Sequence, residues 1–216
     1  MAKNNQSFKL QRTLNKLAIH NLMLYIVGGI AAVFLIGMAL YMTKGIDIIE
    51  YITFNRSMIL DGQVWRVLTF LFKPEDSSVF MVLTLYLYWL MGSTLEQEWG
   101  AVKFNLFYFC GAALTIASGF ITGGAVNHFL NMSLFFAFAI LNPEFQLMLF
   151  FVLPVKIKWL AIADAVYFAY MFVVSGWDIR GCIIACALTL LIFFGGDIIE
   201  SIKRAKRRAE WKRNFR

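Results

Sequence analysis

The chain has 216 residues, 60% hydrophobic and only 15% charged, with a mean hydropathy of +0.68. Soluble domains average about 45–50% apolar and about 25% charged residues, so the composition excludes an ordinary soluble domain and points to a polytopic helical membrane protein. Three prolines and no Ser/Gly-rich linker leave no sign of a second domain. The net charge of +7 is local. Lys203, Arg204, Lys206, Arg207, Arg208, Lys212, Arg213 and Arg216 directly follow an apolar segment. That placement suits anionic lipid headgroups and not a nucleic acid, since no aromatic-interleaved basic fold surrounds it.

Residues 1–21 read as a cytoplasmic, interfacial amphipathic segment. Phe8, Leu10, Leu14, Leu17 and Ala18 recur at helical spacing between Lys9, Arg12 and Lys16. The long polar lead-in and the long apolar run behind it argue against a cleavable signal peptide. Leu22–Met42 is a full span, because about 20 apolar residues cross a ~30 Å hydrocarbon core. Thr43–Ser78 interleaves Asp47, Glu50, Arg56, Asp61, Arg66, Lys73, Glu75 and Asp76 with large apolar residues. Such a loop is expected along the membrane surface with its apolar face dipping in.

Further spans are expected at Val79–Met91, Phe104–Ile121, Lys158–Val174 and Ile179–Ile199. A shorter one, Phe129–Leu141, is stopped by Asn142-Pro143. The result is a six-helix membrane domain over 22–199 and a basic cytoplasmic tail over 200–216. With both termini cytoplasmic, fifteen of the twenty cations fall inside, and Lys44, Arg56, Arg66, Lys73 and Arg180 fall outside. The chain is thereby read as an integral multi-pass protein of a prokaryotic cell membrane. Val79–Met91 and Phe129–Leu141 would each reach only ~20 Å, so they are expected to thin the bilayer or border a water-accessible cavity.

Four segments resemble the rhomboid superfamily of intramembrane serine proteases and their inactive relatives, the derlins among them. They are DGQVWRVLTFLF (Asp61–Phe72), MGSTLEQEWG (Met91–Gly100), LNPEFQLMLFFVLPVKIKWLA (Leu141–Ala161) and DIRG (Asp178–Gly181). The likeness covers about Ile59 to Phe194, and its structural motif falls on Gly62, Gln63, Trp65, Arg66, Gly92, Glu96 and Gly181. It implies an all-α, six-transmembrane-helix bundle with a membrane-embedded first loop. In the proteases, a serine between glycines opens the fourth span, its base histidine lies on the sixth, and a histidine and an asparagine on the second assist the oxyanion. Those positions fall here at His128, Asp178, Phe80 and Thr84, with Asn127 and Phe129 where the flanking glycines would be. All four depart from the active pattern, and the sixth span contains no histidine.

His128 and Ser133 cannot substitute for that dyad on a regular helix. Five residues separate them by about 140° in azimuth and ~7.5 Å along the axis, whereas nucleophile and base need ~2.6–3.2 Å. Ser118 and Ser175 lie toward the outer ends of their spans but sit in no strained glycine turn, and His20 belongs to the inner surface. His128 is therefore expected to open a helix in the outward cavity, bonded to Asn127 or Asn131. Arg66 is expected to pin the loop through carbonyls or a carboxylate, and Glu96 to pack and cap near the inner face. Asp164 lies about 9 Å deep; it is either a functional acid or bonded to a tyrosine or threonine of a neighbouring span. Gly181 and Ala185 allow close helix approach. Cys110, Cys182 and Cys186 read as packing residues with no disulfide framework; on i, i+4 spacing they lack a fourth ligand, so no metal and no cofactor is expected.

These readings converge on a non-proteolytic rhomboid-like protein that binds transmembrane clients through Thr84, Asn127, His128, Asn131, Ser133, Asp164 and Tyr167, in quality control, trafficking or dislocation. Two other readings remain: a protease with a non-standard site, and a small-solute or proton-coupled transporter using Asp164. The transporter would usually show internal repeats, and the chain has none.

Overall fold

The computed structural model describes residues 18–75, 80–149 and 153–214, so the segment 1–17 lies outside the described residues. The first helix, α1 (Leu22–Lys44), stops where Gly45 turns left-handed at φ 65°, its N–H bonding the carbonyls of Leu40 and Tyr41. The loop that follows is built from short helices with side-chain caps. Asp47 accepts from the Ile49 N–H at 2.9 Å to start α2 (Ile48–Ile52), and Asn55 accepts from Ser57 to start α3 (Arg56–Leu60). Gly62, at φ 104°, turns the chain into α4 (Arg66–Thr69) and a 3-10 turn, Phe70–Phe72. One face of this loop buries Ile52, Phe54, Ile59, Arg66 and Phe70, while Leu60, Val64, Trp65 and Leu68 point outward.

The longer helices follow as α5 (Phe80–Trp99), α6 (Ala101–Thr122), α7 (His128–Leu141), α8 (Ile157–Val174) and α9 (Trp177–Asn214). Among the described residues, four helices are long and apolar enough to cross a membrane: α1, α6, α8 and the Trp177–Gly196 part of α9. This is the make-up of a helical membrane protein. Between α7 and α8, β1 (Gln146–Leu149) pairs antiparallel with β2 (Leu153–Lys156), Gln146 opposite Lys156. The fold is thus mostly helical but not purely so. Glu144 bonds both Lys156 and Lys158 beside this strand pair, and those two ammonium groups hold its carboxyl down to about 2.

The hub is α7. It packs against α5, α6, α8 and α9, and nine of its 14 residues are buried. Fourteen residues span about 21 Å. A helix walled by protein need not match the hydrocarbon thickness, because its ends meet polar protein groups and not lipid. By contrast α8 buries only Ile157 and Phe168 and otherwise faces outward. Small residues set the tightest crossings. A Cβ on Gly92 would lie 2.7 Å from Cβ of Met23 on α1, and one on Gly181 would meet Ser118 and Thr122 of α6.

Two expectations about elements change. The second span does not end at Met91: its apolar part does, but the helix runs on through Gly92–Trp99. The polar last turns are used as caps. Glu96 accepts from the backbone N–H of Asn21 at 2.7 Å, fixing the start of α1, and Glu98 accepts from Asn142 at 2.8 Å, fixing the end of α7. At 20 residues, α5 is no short helix, so only α7 retains the expected shortness. The last helix also continues past Ile199 to Asn214, so the basic tail extends α9 directly.

Candidate functional site

The chain after Phe72 crosses the head of α7, and a half-buried polar cluster forms there. Residues 128 and 131 are one turn apart and share a helix face. His128 Nδ1 lies 3.0 Å from Glu75 Oε2, and Asn131 Nδ2 donates to Glu75 Oε1 at 2.9 Å. Tyr88 of α5 also hydrogen-bonds this carboxylate. Asn127, just ahead of the helix, donates from Nδ2 to the carbonyls of Lys73 (2.7 Å) and Leu71 (3.3 Å). The end of the loop is therefore stitched to α7 by backbone and side chain together.

The Glu75 side chain is 19% exposed. Burial alone pushes its carboxyl up; the hydrogen bonds and charge of His128, with the bonds from Asn131 and Tyr88, outweigh burial and hold it below its ordinary 4.5. It is an anion held by converging donors. On the far side, α8 presents Asp164 and, one turn on, Phe168. The Asp164 charge acts on His128, and the Phe168 ring sits 5.2 Å from Phe129 and 5.5 Å from Phe136. Asp164 makes no hydrogen bond to a tyrosine or threonine among the described residues, contrary to one of its two sequence readings.

The Nδ1 of His128 is taken by a carboxylate. This corrects the expectation that His128 bonds Asn127 or Asn131. Ser133, fully buried, donates to the Leu130 carbonyl of its own helix at 2.6 Å. Ser175 Oγ meets Met171 Sδ at 3.6 Å. Ser118 Oγ is buried without a hydrogen-bond partner among the described residues and packs against Gly181. Among the described residues neither histidine bonds a serine. No family model matches this chain. No curated protein matches it either.

The remaining positions separate into two groups. Asp178 is in the first turn of α9, Phe80 opens α5, and Thr84 bonds the Phe80 carbonyl one turn back. Tyr167 is half exposed on α8. None of these joins the cluster. Arg66 works in the loop: its Nη1 donates to the carbonyls of Glu50 (2.6 Å) and Thr53 (2.9 Å), and its Nε to Gln63 Oε1 (2.7 Å). Trp65 donates to the Tyr51 carbonyl at 3.4 Å with its ring outward. No three metal-ligating side chains converge among the described residues.

Two members of the cluster, Glu75 and Tyr88, were not singled out by sequence. Glu75 reads as one acid of several in a charged loop, and its partners lie 53 and 56 residues away. Tyr88 reads as one more aromatic in an apolar span. The available signal is the Asn127, His128, Asn131 set itself: three polar side chains within two turns of an apolar helix require a partner.

Proposed function

We propose that this chain is a rhomboid-like membrane protein that binds transmembrane client segments and does not cut them. The observation that carries the reading is that no serine among the described residues bonds His128. A carboxylate on Nδ1, as Glu75 is here, orients a histidine and leaves its other nitrogen as the base, but general-base catalysis then needs a hydroxyl within reach of that second nitrogen, and the Ser133 hydroxyl is turned into its own helix. An oriented imidazole with no serine beside it ties the loop to the helix and activates no serine nucleophile.

Client binding draws on three features. The short α7 places polar groups at depth. The thinly packed α8 is joined to α7 largely through Phe168, so it can yield laterally. The outward apolar face of the loop lies beside them. A client helix carrying polar residues is costly in hydrocarbon and gains where protein polar groups are within reach. The resemblance to rhomboids and derlins, the six-span topology with both termini in the cytoplasm of a prokaryotic cell, and the basic end of α9 as an anionic-lipid contact belong to the same proposal.

The test places photocrosslinking residues at Thr84, half-buried on α5 one turn before Tyr88, and at Tyr167, half exposed on α8, and captures partners in living cells. Intact multi-pass or single-pass membrane proteins are expected in the crosslinked bands, more at these sites than at a control on α1. Absence of membrane proteins from both sites overturns the proposal, as does capture of cleaved fragments alone.

A further inference from the structure

A cavity of about 430 Å³ lies between α1 and the first loop, a size common for small-ligand sites. Its floor is one face of α1: Phe34, Gly37, Met38 and Tyr41 follow at helical spacing. Ile48 of α2 forms the facing wall, and Asp47 stands at the rim. Gly37 is what admits Ile48 so close, since a Cβ there would sit 2.8 Å from Ile48 Cγ2.

Around the groove α1 exposes Leu35, Ile36 and Met42, the surface of a helix long enough to cross a bilayer. An apolar gap at that depth is poorly served by water, which finds too few polar partners there. Left empty, it would forfeit dispersion contacts along its whole lining. Charge is confined to one end. Lys44, three residues past Tyr41, continues the same face of α1 and makes no ion pair among the described residues. Asp47 uses Oδ1 to cap Ile49, which leaves Oδ2 open.

We propose that this groove binds one phospholipid with a phosphoethanolamine headgroup. Its acyl chain lies along Phe34, Gly37 and Met38, its phosphate meets Lys44, and its ammonium meets Asp47. A single negative headgroup satisfies Lys44 but sets nothing against Asp47, so the paired rim discriminates between lipids of the same chain length. The site is separate from the cluster at α7 and does not depend on client binding.

Native mass spectrometry of the full chain, purified with an equimolar mixture of phosphatidylethanolamine and phosphatidylglycerol, tests the assignment. One retained lipid is expected, with phosphatidylethanolamine favoured about threefold, the yield of one partly exposed ion pair. Met38→Trp and Gly37→Leu fill the groove and should abolish retention. Asp47→Asn keeps the cap on Ile49 and should erase the preference while leaving a lipid bound, which reports on the site even where a filling variant fails to fold. No retained lipid, equal retention of the two headgroups by the unaltered chain, or undiminished retention in both folded filling variants overturns the proposal.

Discussion

Replacing Glu75 by alanine removes the acceptor on which His128, Asn131 and Tyr88 converge. Asn131 is 1% exposed and Tyr88 5%, so both are left as buried donors without this partner, at about 1–3 kcal/mol each. The His128 contact, its side chain 34% exposed, adds about 0.5 kcal/mol. A total near 3 kcal/mol raises local opening of the loop end roughly 100-fold. Hydrogen exchange should therefore accelerate over residues 70–75 and the first turn of α7, while α9 is unchanged. Glu75→Gln, which retains an acceptor oxygen, should lie between. Because the folded carboxyl sits below 4.5, its contribution is complete above that pH and fades as pH falls through the lower folded value. Wild-type exchange over residues 70–75 should approach that of the alanine variant only on strong acidification. Equal exchange of wild type and Glu75→Ala at neutral pH would refute the assignment of the cluster as the tie between loop and helix.

Arg66→Ala strands the Glu50 and Thr53 carbonyls and should cost about 3–5 kcal/mol of loop stability, read as faster exchange over residues 48–69; Arg66→Lys, which cannot supply the same fork, should recover only part of it. Gly92→Ala drives a Cβ into Met23 and should destabilise the helix pair by about 1–3 kcal/mol in thermal unfolding. Pairing it with Met23→Ala should cost less than the two changes added, by about 1 kcal/mol.

The elements were most legible where one local rule decides. About twenty apolar residues place α1 to within two residues, and Asn142-Pro143 ends α7 where proline chemistry requires. Legibility failed where distant partners override local character. Gly92–Trp99 looks like a loop because it carries Glu96 and Glu98, yet Asn21 and Asn142 turn both acids into caps and the helix continues. Helix continuity past Ile199 was hidden for a different reason, since a change from apolar to basic composition marks a membrane boundary and not a helix end. The strand pair Gln146–Leu149 and Leu153–Lys156 has no alternating pattern to announce it. At the site, the need for a partner was readable from Asn127, His128 and Asn131. Its identity was not, because only folding brings Glu75 across the head of α7.

The central proposal is that no hydroxyl among the described residues is activated by an imidazole. Labelling the purified chain with a fluorophosphonate, beside an active rhomboid protease in the same lipid, tests it most directly. The protease should label and this chain should not, with Ser133→Ala and Ser118→Ala indistinguishable from the unaltered protein. Stoichiometric labelling that disappears in either serine variant would contradict the account.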